Sequence, residues 1–151
     1  MDRRTACGIA VTAVAAAVAW VGACTYPELT VQYEARHGLT TVLAVAGLGS
    51  SLGGVLSFRR ARTTINPLTP EAATTLVISG VYRFTRNPMY LGFLLLLAAW
   101  VTWLANPLAW CALPLFVAYL NRFQIRPEEA ALQSRFGSAF INYQAQVRRW
   151  I

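Results

Sequence analysis

The chain has 151 residues, 56% of them hydrophobic and 13% charged, with a mean hydropathy of +0.46. Soluble domains carry about 25% charged residues, so an ordinary soluble fold is excluded as the first reading and a one-domain membrane protein, 1–151, is expected. All thirteen basic residues are arginines and the net charge is +7; they stand beside apolar runs, not on a basic face interleaved with aromatics, which assigns them to topology and membrane lipids and not to nucleic acid.

Residues 5–26 carry no charge and include ACGIAVTAVAAAVAWVGAC. At about 1.5 Å per residue this run crosses a hydrocarbon core of about 30 Å. Residues 38–58, GLTTVLAVAGLGSSLGGVLSF, form a second uncharged run. Within it Gly49 and Gly53 make a GxxxG pair, with Ser50 and Gly54 beside it, which predicts a close helix contact inside the chain. These two helices make up residues 1–58, and 59–151 hold the rest.

Residues 59–86 are moderately polar and too long for a mere connector. Thr69, Pro70 and Glu71 read as a cap, a first-turn proline and a first-turn acid, predicting a short helix from about Pro70 to Val77. Ser79 and Gly80 then turn the chain back. Residues 87–121 are again uncharged but too long for one ordinary span. Pro107 has no N–H and disfavours helix at Asn106, so the run is expected to break there into a hairpin.

The hairpin also sorts the arginines. Arg3 and Arg4, the group from Arg59 to Arg86, and the group from Arg122 to Arg149 then share one side, while Arg36 lies opposite with Glu28 and Glu34. By the positive-inside rule the expectation is an all-α, polytopic protein with four transmembrane helices, both termini cytoplasmic, and further short cytoplasmic helices. The expected setting is a bacterial inner membrane.

Beyond the hairpin, Arg126, Pro127, Glu128 and Glu129 read as a helix start that ends near Gly137, with Ser138 capping a last helix. There Phe140, Tyr143, Val147 and Trp150 recur at spacings of three and four, an amphipathic pattern suited to the membrane surface or to covering the hairpin. Cys7, Cys24 and Cys111 are far apart, lack metal-ligand spacing and read as buried free thiols, so no metal is expected.

Two polar clusters, 79–92 and 122–129, flank the same hairpin. Its helices run out and back, so one joint site is expected from Tyr82, Arg86, Asn87 and Tyr90 with Arg122, Arg126, Glu128 and Glu129. The glutamates fit either a solvated helix start or a carboxylate that binds a diol or a cationic ligand. Asn87 and Pro88 fit a cap and first helical position, and Gly92, one turn in, allows something to approach the helix backbone. Tyr82 and Tyr90 offer ring faces for a flat heterocycle and hydroxyls for hydrogen bonds.

In order and spacing, LVISGVYRFTRNPMYLG and the later RPEEAALQSRFGSAFINYQAQVRRW resemble the isoprenylcysteine carboxyl methyltransferase and phospholipid methyltransferase superfamily of integral membrane enzymes. The resemblance covers about residues 63–151. It implies S-adenosylmethionine as cofactor, with Leu76, Val77 and Tyr82 packing against it and Asn87, Pro88, Met89 and Tyr90 as its main binding turn. It implies Glu128 as the acid that holds the cofactor, with Glu129 its neighbour, and either Arg122 or Arg126 as the arginine that meets the substrate. Asn87 stands where many relatives have histidine.

Methyl transfer from a sulfonium is an in-line displacement for which positioning can supply much of the rate. His37, the chain's one histidine, falls in the predicted outside loop and is no candidate base. A carboxylate or thiolate acceptor oriented by Arg122 or Arg126 is therefore expected, while an amine acceptor would need Glu129 or a water to take its proton. The acceptor that the resemblance implies is lipophilic or a lipid. The competing readings are an NADPH-dependent membrane reductase of the sterol type and a non-catalytic scaffold.

Overall fold

The computed structural model describes residues 3–60 and 76–151. Among these the chain is all helical. Its helices are α1 (Arg3–Thr25), α2 (Arg36–Arg60), α3 (Pro88–Leu104), α4 (Ala112–Leu120), α5 (Arg126–Phe136) and α6 (Ser138–Gln146). Short 3-10 turns occupy Pro27–Leu29, Gly80–Arg83 and Pro107–Cys111, and a π turn occupies Asn121–Ile125. The helix predicted from about Pro70 lies outside the described residues except for Leu76 and Val77, which are not helical.

Three helical runs are long and apolar enough to cross a membrane: Ala6–Thr25, Arg36–Ser57 and the continuous Pro107–Phe136. The sequence predicts four. α3 is apolar throughout, but its 17 residues reach only about 25 Å. The outer faces of the long helices stay uncovered, with Val18 and Val42 64% exposed and Leu115 70% exposed, an apolar surface suited to lipid.

Central α3 packs along α2 on one side and against α1 and α4 on the other. Small residues let α2 approach it. A Cβ on Gly92 would collide with Ser51 Oγ and stand 2.6 Å from the Gly47 carbonyl oxygen, and one on Gly54 would meet Met89 and Pro88. Ser50 Oγ donates to the Pro88 carbonyl at 2.7 Å, joining the two helices by a hydrogen bond. The predicted intramolecular contact therefore exists in a shifted register. Gly47, Ser50, Ser51 and Gly54 make the seam, Gly53 faces Val81, and Gly49 faces nothing within 4 Å. On the other side Leu97, Val101, Phe116, Leu120 and Ile125 form the core with Ala19, Ala109 and Ala112.

The run breaks at Asn106 and Pro107 as expected. Ala105 is left-handed, with φ of 52°, and fully buried Asn106 secures the turn, accepting from Leu108 N at 3.0 Å and donating to the Tyr26 carbonyl at 2.9 Å. His37 lies at this end against Trp103, ring centres 5.2 Å apart, at the opposite end of α3 from Pro88.

At the other end the structure corrects the sequence reading. Arg126 does not start a new helix, because α4, the π turn and α5 are one continuous rod. Pro127 lacks the N–H that would bond back within the helix, and its ring crowds the carbonyl four residues earlier, at Phe123. The backbone widens instead, and Arg126 N bonds to the Asn121 carbonyl across five residues. Gly137, with φ of 52°, ends α5 and occupies the cap position of α6, so Ser138 is that helix's first residue and not its cap. The amphipathic helix stops at Gln146, and Val147 and Trp150 follow it in non-helical chain. Cys7 is half-buried, whereas Cys24 and Cys111 are exposed rather than buried.

Candidate functional site

Pro88 starts α3 because a proline at the first helical position loses no hydrogen bond. Tyr90, two residues on, turns inward and is buried against the core. Its hydroxyl meets two acceptors from the far arm of the hairpin, Gln124 Oε1 at 3.3 Å and Glu128 Oε2 at 3.4 Å. Gln124 Nε2 in turn donates to Cys7 Sγ at 2.7 Å. One polar chain thus links α1, the π turn, α3 and α5 in an otherwise apolar bundle.

Tyr82, on the 3-10 turn before α3, is buried beside this chain. Burial pushes its phenol well above the ordinary 10.0, and Glu128, Tyr143 and Tyr90 nearby add to the rise. Tyr143, on α6, donates to the Tyr82 carbonyl at 2.7 Å. Its own pKa is pushed up to about 12 by burial, with Arg86 opposing the shift. Both phenols therefore stay protonated at neutral pH.

The chain after α6 runs as a strap along residues 85–87, Asn121 and Glu129. Arg86 N donates to the Arg148 carbonyl at 3.1 Å. The Arg149 carbonyl accepts from Thr85 Oγ1 at 3.3 Å and from Asn87 Nδ2 at 3.0 Å. Trp150 Nε1 donates to Asn121 Oδ1 at 3.2 Å. Glu129 anchors the strap: Arg86 Nη1 lies 3.1 Å from its Oε1, Arg149 Nε donates to the same oxygen at 3.2 Å, and Arg149 Nη2 binds Oε2.

Of the residues expected at the site, the structure brings Tyr82, Tyr90 and Glu128 together. It gives the others different surroundings. Val77 is buried, and Leu76 packs on Phe140, Tyr143 and Val147. Pro88, Met89 and Gly92 face α2, so Gly92 admits a helix backbone rather than a ligand. Asn87 occupies the cap position, but its side chain makes no capping bond and holds the strap. Both oxygens of Glu129 are taken by Arg86 and Arg149. Arg122 and Arg126 are exposed, two residues from Gln124 and Glu128 respectively, which on a helix is about half a turn away. Arg122 lies over the Phe123 ring, 5.8 Å from its centre.

Gln124, Cys7, Thr85 and Arg149 carry contacts that sequence reasoning missed. Gln124 had a legible signal, a lone amide continuing the four-residue stripe of Ala112, Phe116 and Leu120 towards Glu128. The contacts of the strap with Thr85, Arg86 and Asn87 run through the Arg148 and Arg149 backbone carbonyls, which residue type does not reveal.

The phospholipid methyltransferase family model matches residues 35–139. The chain belongs to that family. The match takes in α2, the 3-10 turn of Tyr82, α3 and the rod that carries Gln124 and Glu128, and it bears out the resemblance read in the sequence. An uncharacterised protein of Haemophilus influenzae is 48% identical over 63 residues, which are 42% of this chain and the whole of that protein. No solved structure matches. Membership of the phospholipid methyltransferase family, with three helices apolar enough to cross a membrane, makes this an integral membrane protein and does not favour the reductase or the scaffold.

Proposed function

We propose that this protein transfers a methyl group from S-adenosylmethionine to a lipophilic or lipid acceptor at the cytoplasmic surface of a bacterial inner membrane. The observation that carries the reading is the meeting of Tyr90 with Glu128, 38 residues apart, inside the family-matched segment. The residues present fit the cofactor. Glu128 is a carboxylate suited to paired hydroxyls, the Tyr82 and Tyr90 rings lie buried near it and are of a type that suits a heterocycle or a sulfonium, and Arg86 Nε is a buried donor without a hydrogen-bond partner among the described residues, suited to a carboxylate. When bound, S-adenosylmethionine supplies an electrophilic methyl group.

The side chains position and exclude water. The strap is tied to the segment before α3, and Glu129 orders Arg86 and Arg149 rather than accepting a proton. An acceptor arriving from the bilayer meets exposed Leu115, Tyr119 and Phe123 first and then Arg122 and Arg126, which suits a carboxylate or thiolate that needs no base. An amine acceptor would lose its proton to water. In this reading α3 is the short fourth span, and both termini lie with the site on the cytoplasmic side.

Calorimetric titration of the detergent-purified protein with S-adenosylhomocysteine tests the proposal. Saturable binding is expected, weakened at least about tenfold by Glu128→Gln and by Tyr90→Ala while thermal unfolding stays cooperative. No binding by the folded wild-type protein overturns it.

A further inference from the structure

Gln124 is the one polar side chain that turns inward between the apolar stripe of α4 and Glu128, and it is 8% exposed. Every polar end of it is engaged. Nε2 donates to Cys7 Sγ at 2.7 Å, and Oε1 accepts from Tyr90 at 3.3 Å. With Nε2 on the thiol of α1, the amide oxygen faces the phenol.

That phenol has one proton and two acceptors. Its distances to Gln124 and Glu128, 3.3 and 3.4 Å, are nearly equal, and both exceed the usual O–H···O separation of about 2.7–2.8 Å. Tyr90 is shared between amide and carboxylate and committed to neither. The π turn places the amide there. Along a regular α-helix, a four-residue stripe drifts by about 40° at each step. The wide turn at Asn121–Ile125 takes up one extra residue, so that Ile125 continues the core face of Phe116 and Leu120 while Gln124, beside it, is turned inward to Tyr90.

We propose that Gln124 is a positioning residue of the cofactor site: held by Cys7, it keeps the Tyr90 hydroxyl between itself and Glu128 and so sets the geometry that both present to the ligand. The inference rests on the methyltransferase reading above. It makes Gln124 act through Tyr90, which a double-mutant cycle separates from a merely structural role.

The experiment is calorimetric affinity for S-adenosylhomocysteine in wild type, Gln124→Met, Tyr90→Phe, the double variant and Cys7→Ser, each measured well below its thermal midpoint. Each of the first two single variants is expected to bind about tenfold more weakly, the loss of one hydrogen bond's worth of affinity. The double variant is expected to be no weaker than about tenfold, since the second change removes nothing that still acts. Cys7→Ser keeps an acceptor for Nε2 and is expected to bind like wild type. Unaltered affinity in Gln124→Met, or losses that multiply to about a hundredfold in the double variant, overturn the inference. Should Gln124→Met not fold, Gln124→Asn, which withdraws the amide from Tyr90 by one methylene, takes its place with the same expectations. Absence of binding by wild type sinks the methyltransferase reading and this inference with it. Wild-type binding with an unaltered Gln124 variant sinks this inference alone.

Discussion

Glu128 and Glu129 are neighbours in sequence with separate surroundings, because successive helical side chains diverge by about 100°. Glu128 faces Tyr90, while Glu129 joins Arg86 and Arg149. Glu129→Gln should therefore lower stability by about 1–3 kcal/mol, leaving two arginines without their carboxylate. Thermal unfolding in detergent checks this, and affinity for S-adenosylhomocysteine should fall less than in Glu128→Gln. Tyr143 permits a second test. Its pKa is about 12 in the folded chain against an ordinary 10.0, so between those values the unfolded phenol has lost its proton and the folded one keeps it. The unfolded state then binds fewer protons, and stability falls as pH rises through that window. Tyr82 shifts in the same direction. Below pH 10 neither phenol should contribute any slope. Thermal midpoints measured from neutral to strongly alkaline pH should decline above about pH 10, and Tyr143→Phe should show a shallower decline from a lower starting midpoint. The adjacent glutamates were legible as chemistry in the sequence, but which of them faced the tyrosine was not, since that depends on the helix's rotation.

At the scale of elements, the α2–α3 seam and the π turn do most of the positioning. A methyl group on Gly92 has nowhere to go but into Ser51 and the Gly47 carbonyl, both part of a helix that cannot yield locally. Gly92→Ala should cost about 1–3 kcal/mol by overpacking and lower the thermal midpoint, although glycine's own helix propensity is poorer than alanine's. The same substitution at Gly49, which meets nothing within 4 Å, should be harmless or mildly stabilising. The small residues of α2 were visible in the sequence, but their register was not. Gly49 and Gly53 satisfy the motif as well as Gly47 and Ser51 do, and only the partner helix chooses. The π turn is likewise legible as Pro127 and yet misread as a helix start. Pro127→Ala should restore an N–H, let the turn relax towards regular helix and rotate Gln124 and Glu128 out of line. Weaker binding of S-adenosylhomocysteine without loss of helical circular dichroism is the expected result.

For the whole molecule, the proposed arrangement, with α3 as a short fourth span, would put the loop of Glu28 and the start of α6 on opposite sides of the membrane, whereas three spans would put them on the same side. In a cysteine-free background, Glu28→Cys should react with an impermeant thiol reagent in intact cells, and Ser138→Cys only after the membrane is opened. Labelling of Ser138→Cys in intact cells would place α6 outside and leave three spans. By itself the sequence determined the helical membrane class, the break at Asn106 and Pro107, and the residue types able to meet at the hairpin's mouth. Those follow from hydropathy, from proline's missing N–H and from motif order, all local properties of the chain. What only the tertiary structure decided was who meets whom. Tyr90 reaches Glu128 and Gln124, Asn87 and Glu129 are drawn to the strap, Gly92 is filled by α2, and Arg122 and Arg126 are left on the outer face. Each outcome depends on helix rotation and close packing between segments tens of residues apart, which local propensity does not encode.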